Sequence, residues 1–201
     1  MALHSMAGLP ALAEQALWLA GMCAVIALVA RPVLDFRVRK WGLSLALGIG
    51  VFLLWIAPDL LIPGYRSHWL FSNSITGSVA AGLAEADRSN TAVLLLCGLR
   101  AALIVPIVEE LFWRAWLMRW LVNEQFWKVE LGAYAPKAFW LVAVMFAVEH
   151  GPYWDVGLAC GILYNWWMVR TKSLGDLILV HGVTNACLSV YVVAAGKWEY
   201  W

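Results

Sequence analysis

Three groups of ionisable or amide side chains stand inside an otherwise apolar chain: Glu109-Glu110-Leu-Phe-Trp-Arg114, Phe146-Ala-Val-Glu149-His150 and His181-Gly-Val-Thr-Asn185. In the first, two adjacent carboxylates end an apolar run, and Arg114 follows Glu110 at helical ion-pair spacing. Arg114 is placed to keep Glu110 ionised, while Glu109 points about 100° away round the helix and is free to face a cavity. A carboxylate so placed can take a proton from water as a general base. His150 lies one turn after Phe146, and His181 and Asn185 share a helix face at i and i+4. Two histidines, an amide and a carboxylate converging from three helices supply what peptide hydrolysis needs: a base to activate water, a partner to orient it, and donors for the developing oxyanion.

Taken singly, each group also has a structural reading. A glutamate pair with an arginine at i+4 can be a solvated helix end, and a histidine at a helix end can simply pack. His181 and Asn185 can bond to each other across a helix seam, as polar residues do in membrane bundles. Their scarcity argues for more. The 201 residues are 63% hydrophobic and 13% charged, where a soluble domain carries about 25% charged residues. An ionisable side chain inside a spanning segment costs roughly 2.5 to 3.5 kcal/mol on insertion scales, so each is a functional candidate.

The elements that must position these groups read as membrane helices. Leu12 to Ala30 is apolar, long enough to cross a hydrocarbon core, and ended by Arg31-Pro32; Trp41 to Ile62 is a second such stretch, ended by Pro63-Gly64. Residues 63–90 are more polar and predict a surface loop, with room for an interfacial helix, that covers the site. A third helix starts at the cap-like Ser89-Asn90-Thr91 and runs through Glu109-Glu110 to about Val122. The fourth spans about Ala138 to His150 and stops at Gly151-Pro152, the fifth runs from about Val156 to Arg170, and the sixth from Leu174 to about Ala195. The expectation is an all-α polytopic transmembrane bundle of about six membrane helices. Residues 1–201 form a single membrane domain, with N-terminal spans and a connecting loop over 11–90 and catalytic helices over 91–195.

Lys and Arg concentrate after the first, third and fifth helices, which makes those connections cytoplasmic and puts both termini outside. The net charge of +1 offers no basic stripe for nucleic acid. Cys23, Cys97, Cys160 and Cys187 lie in apolar runs without metal-ligand or redox spacing and read as packing residues. Several of the fourteen tryptophans (Trp41, Trp69, Trp127, Trp154, Trp198, Trp201) flank the apolar runs, where an amphipathic ring suits the headgroup boundary.

Glu109-Glu110-x-x-x-Arg114, Phe146-x-x-x-His150 and His181-x-x-x-Asn185, in that order in a polytopic protein, resemble the signature motifs of the CPBP family, the CAAX prenyl proteases and their bacterial relatives. Gly157-x-x-x-Gly161-x-x-Tyr164 and Arg170-Thr-Lys-Ser-Leu174 are similar to the family's stretch before its last histidine motif. The resemblance implies an intramembrane endopeptidase that cleaves a membrane-associated protein or peptide. Glu109 would be the base on water, His150 its orienting partner, His181 and Asn185 the oxyanion holders, and Glu110 with Arg114 the support, beside Phe146. It implies no cofactor on a glutamate mechanism; in a zinc-dependent version Glu109, His150 and His181 would be the ligands, although His-Glu-x-x-His is absent. Glu149 has no role in either version. The Trp-rich ending Gly196-Lys-Trp-Glu-Tyr-Trp201 resembles a bacterial branch associated with exosortase protein-sorting systems, which implies such a system as partner and the bacterial inner membrane as location. Two readings from other classes stay open: a non-catalytic binding or chaperone protein on the same fold, and an ion or proton carrier with a Glu/His relay.

Overall fold

A computed structural model describes residues 9–201; the first eight residues of the expected domain lie outside the described residues. The described residues hold six long helices in the expected order and no strand beyond an isolated Asn73–Gly77 bridge. They are α1 (Ala11–Val33, its end in wider and tighter turns), α2 (Trp41–Leu61), α3 (Thr91–Trp120), α4 (Pro136–Glu149), α5 (Trp154–Thr171) and α6 (Leu174–Ala195). Among the described residues, four of these, α1, α2, α3 and α6, are long and apolar enough to cross a membrane, against about six expected. The difference has a plain cause. With 14 residues, α4 is about 21 Å long at 1.5 Å per residue, short of a hydrocarbon core of about 30 Å. α5 has 18 residues but carries Asp155, Asn165 and Arg170.

The core lies among α2 to α6, where Val51, Trp113, Val142, Phe146, Tyr164, Met168, Leu177 and Val180 form one buried cluster. α1 stands outside it with no buried residue. Glycines set the close crossings, as small residues do between membrane helices. A Cβ at Gly161 would lie 3.1 Å from the Ala143 carbonyl oxygen of α4, and one at Gly48 would lie 2.7 Å from the Val180 oxygen of α6. Large apolar side chains such as Leu28, Leu61, Val148 and Val190 point outward, which only lipid accommodates over so many helix faces.

Helix ends follow local chemistry. Asn90 Oδ1 accepts from the Ala92 and Val93 amides and starts α3, as Ser-Asn-Thr predicts. Buried Asp176 does a longer-range job: its carboxylate accepts from the Arg39 and Lys40 amides and the Ser44 hydroxyl, at 2.7, 2.7 and 2.9 Å. It thereby ties the chain entering α2, and Ser44 in its first turn, to the start of α6.

Two expectations are corrected. Among the described residues the 63–90 loop forms no interfacial helix, only the short turns Tyr65–Ser67 and Glu85–Asp87. Cys23 is exposed on α1 rather than packed.

Candidate active site

α3 is not a uniform helix, and its irregularity shapes the site. Pro106 has no N–H to give to the Ala102 carbonyl, and its ring crowds that carbonyl. The helix widens just before it into a π segment, Arg100–Ile104, in which the Val105 amide bonds back to Arg100. The Ala101 carbonyl is thereby orphaned, because Val105 is already used and Pro106, its partner in the wider pattern, has no hydrogen. The Asn185 Nδ2 donates to it at 2.9 Å. One turn back on α6, Gly182 leaves room for the neighbouring Ala102 oxygen, which a Cβ would approach to 2.8 Å. Asn185 therefore joins α6 to the irregular turn of α3.

Beyond that turn, Glu109 and Glu110 part as expected. Glu110 is fully buried; Arg114 Nη1 donates to both its oxygens at 3.1 and 3.0 Å, and His181 Nδ1 donates to Oε1 at 2.7 Å. Arg114, also fully buried, lies 4.5 Å over the Phe146 ring, and its Nε donates to Asn165 Oδ1 at 2.9 Å. Asn165 in turn donates to the Phe139 carbonyl of α4 at 2.8 Å. This chain of bonds ties α3, α4, α5 and α6 together and fixes the ring of His181.

Glu109 faces the other way. Its Oε2 is buried, has no hydrogen-bond partner among the described residues, and lies 4.0 Å from His181 Nε2. With His150, His181 and Asn185 it lines a cavity of about 310 Å³ whose other walls include Trp18, Trp55, Tyr164, Tyr200 and Trp201. The ring of His150 is held by Nδ1, which donates to the Phe146 carbonyl at 2.6 Å, and by an edge contact with Trp55. A hydrogen on Nδ1 leaves Nε2 of the neutral ring as an acceptor. Gly157 makes this possible: its missing Cβ would stand 3.2 Å from that of His150.

Of the residues singled out by sequence, four therefore share the cavity, Glu110 and Arg114 stand behind it, and Phe146 lies between its histidines and also lines it. Glu149 is partly exposed, with its carboxylate 4.0 Å from His150 Nδ1. The 63–90 loop supplies no cavity-lining residue; Tyr200 and Trp201 take the place expected of it. Asn165 was missed, although an amide within an apolar run is itself a signal. Thr184, which accepts from Tyr164 at 3.0 Å, carries the same kind of signal.

A catalytic zinc takes three protein ligands and keeps one position open. Among the described residues no group of three or more His, Cys, Asp or Glu is arranged to hold a metal ion. Of the three groups a zinc-dependent version would use, both histidines have Nδ1 engaged and Nε2 free, and Glu109 Oε2 lies 4.0 Å from His181 Nε2.

Neither the curated proteins nor the solved structures searched gave a match. A family model described as type II CAAX prenyl endopeptidase Rce1-like matches residues 90–187, nearly half of the chain and all three motifs. The long apolar helices mark an integral membrane protein, and residues 90–187, which carry the three motifs, are similar to the Rce1-like type II CAAX prenyl endopeptidases.

Proposed function

We propose that the chain is an intramembrane endopeptidase in which Glu109 activates water against a peptide bond of a membrane-associated substrate. The observation that carries this reading is the Glu109 carboxylate: buried, unpartnered among the described residues, and facing a cavity lined by two histidines whose rings are fixed from behind. An unpartnered buried carboxylate oxygen is unfavourable unless a water or substrate meets it.

The distance of 4.0 Å between Glu109 Oε2 and His181 Nε2 suits a single bridging water. Glu109 takes a proton from that water as the oxygen attacks the substrate carbonyl carbon, and His150 Nε2 accepts a hydrogen bond from the O–H that remains, fixing the attack direction. The carbonyl π electrons move to oxygen. The remaining Asn185 N–H and a doubly protonated His181 are the donors for this oxyanion, and the Glu110 carboxylate on Nδ1 balances the imidazolium charge. When the tetrahedral species collapses, the proton held by Glu109 passes to the leaving nitrogen, and the C–N bond breaks. Glutamate-type catalysis, the bacterial inner membrane and association with a protein-sorting system form one reading, supported by the motifs and the Trp-rich ending.

Comparative membrane proteomics of cells carrying the wild-type chain or Glu109→Gln tests it. A membrane protein whose termini differ between the two is expected. Identical processing, with the variant present at normal level, would leave a binding protein on a protease fold.

A further inference from the structure

Contacts between the connections define two ends of the bundle. At one end, Lys172 of the α5–α6 turn pairs with Glu130 of the α3–α4 connection at 3.0 Å, and Ser173 of the same turn donates to the Arg37 carbonyl of the α1–α2 connection at 3.1 Å. At the other, Arg66 of the 63–90 loop donates to the Pro152 carbonyl between α4 and α5 at 2.8 Å, and Tyr153 beside it donates to the Glu199 carbonyl beyond α6 at 3.3 Å. Charge divides the same way. Residues 31–40 hold four Lys or Arg, 119–137 three and 170–172 two, whereas the second end has Arg66, Arg88 and Lys197. Of these, Arg66 is already matched by Asp59 and Asp155. Short connections rich in Lys and Arg stay in the cytoplasm, which makes the first end cytoplasmic.

The cavity belongs to the second end. On α3 its lining runs from Arg100 to Glu109, and on α6 from His181 to Ser189, then past the helix end to Tyr200 and Trp201. On α2 and α4 it takes Trp55 and His150, both close to the same end. Beyond Glu109, toward the basic end, α3 continues with Trp113 and Leu117, buried in one cluster with Met168 and Leu177. A core packed in this way leaves few voids as large as a water molecule, so the floor of the cavity is closed toward the cytoplasm.

We propose that the cavity opens on the extracytoplasmic face, so that the bond presented to Glu109 lies in a segment on that side. The substrate class is then proteins with a translocated segment held at the membrane, not proteins reached from the cytoplasm. This substrate assignment rests on the endopeptidase reading, but the direction of opening is tested without turnover.

Single cysteines are placed in a chain whose four native cysteines are alanine: Ser74→Cys in the 63–90 loop, Leu188→Cys in the cavity wall and Glu124→Cys in the α3–α4 connection. The protein, produced in a bacterial host, meets a charged, membrane-impermeant methanethiosulfonate in spheroplasts and in inside-out vesicles. Modification is read as loss of a maleimide tag added afterwards in detergent. Ser74→Cys and Leu188→Cys should lose the tag in spheroplasts and keep it in inside-out vesicles, and Glu124→Cys should do the reverse. Leu188→Cys modified only in inside-out vesicles would turn the cavity to the cytoplasm, and modified in neither it would leave the cavity sealed; either result overturns the proposal. Modification of Glu124→Cys in spheroplasts would invert the bundle and overturn it as well.

A second measurement uses the natural chain. Protein termini that differ between cells with the wild type and with Glu109→Gln should map to extracytoplasmic segments, and cuts in cytoplasmic segments would overturn the substrate assignment. Leu188→Cys open from outside, with no terminus that differs, would count against the endopeptidase reading and leave the direction of opening standing.

Discussion

Arg114 and Arg66 are both buried among aromatic rings and both pair with carboxylates, one behind the cavity and one under the 63–90 loop. Arg114 meets Glu110 one helical turn away and is closed over by Phe146 and Tyr164. Arg66 meets Asp59 at 3.1 Å and also pairs with Asp155, under the rings of Tyr65, Phe71 and Tyr153. Each has one buried Nη2 without a partner among the described residues. The difference lies in what the network holds. The bonds of Arg114 end on a histidine ring that lines the cavity, so a shift there moves a group to which the proposed mechanism gives a role. Those of Arg66 end on the Pro152 carbonyl, on Asp155 and, through Asp59, on the Tyr200 hydroxyl at 2.7 Å. That network stitches a loop, the start of α5 and the last residues of the chain to the end of α2.

The largest effect should come from neither arginine but from the carboxylate that the Arg114 network leaves free. Glu109→Gln keeps the shape and removes the base, so turnover should fall by about 100-fold to 10,000-fold with an unchanged melting temperature in detergent. Replacing Cys23, Cys97, Cys160 and Cys187 together by Ala should leave the chemistry in place. A folded but inactive cysteine-free protein would redirect attention to Cys160, which lines the cavity.

Arg114→Met comes next. Removing one partner of a fully buried pair typically destabilises by about 3 to 5 kcal/mol, because Glu110 is left charged and dry. The double change Glu110→Leu with Arg114→Met should recover most of that melting temperature, since apolar replacements of a buried pair are often neutral or better. It should not recover turnover, because His181 Nδ1 would lose the carboxylate that orients it. Recovery of both would reduce the pair to packing.

These two networks also show what the sequence could reveal. Glu110 and Arg114 are neighbours on one helix, so spacing alone exposed the pair. Arg66 and Asp155 are 89 residues apart, and nothing periodic joins them; 63–90 read correctly as a loop, but not as one held by a buried arginine. The six helices were legible from runs of apolar residues and from Gly, Pro and Asn punctuation. The π segment was not, although Pro106 inside an apolar helix was the clue, and with it went the reason for Asn185 to reach Ala101. Arg100 escaped notice because no motif surrounds it. The contribution of Tyr200 and Trp201 to the cavity depends on a chain reversal at Gly196, φ +66°, whose direction composition cannot give.

Asn185→Ala should divide its effect between the two roles. Loss of an oxyanion donor lowers turnover by about 100-fold to 1,000-fold. Leaving the Ala101 carbonyl without its donor should cost about 1 to 3 kcal/mol of stability as well. Turnover and melting temperature measured on the same sample separate them: a lowered melting temperature with normal turnover would make the amide only the partner of the orphaned carbonyl.

Arg66→Met should have the smallest effect on chemistry and sharpens the contrast most directly. Its carboxylates, Asp59 and Asp155, keep 21% and 17% of their side-chain surface exposed, so water can take over part of the solvation that Arg66 provides. The expected loss falls between that of an exposed pair and a dry one, about 1 to 3 kcal/mol. It should be local. Tyr65 still donates to Asp155 and Tyr200 to Asp59, at 3.0 and 2.7 Å, but the guanidinium that drew both carboxylates to one point is gone. Residues 63–90 and 196–201 should therefore exchange amide hydrogens faster and become more open to proteolysis, while α3 to α6 keep their protection. Since no bond of this network reaches Glu109, His150 or His181, turnover should stay within about threefold, a change of roughly 0.6 kcal/mol. A loss of turnover as deep as that of Arg114→Met, with α3 to α6 still protected, would mean that the packing of Tyr200 and Trp201 over the cavity is itself part of the catalytic geometry, and the division between a network that orients chemistry and one that ties the loop would fail.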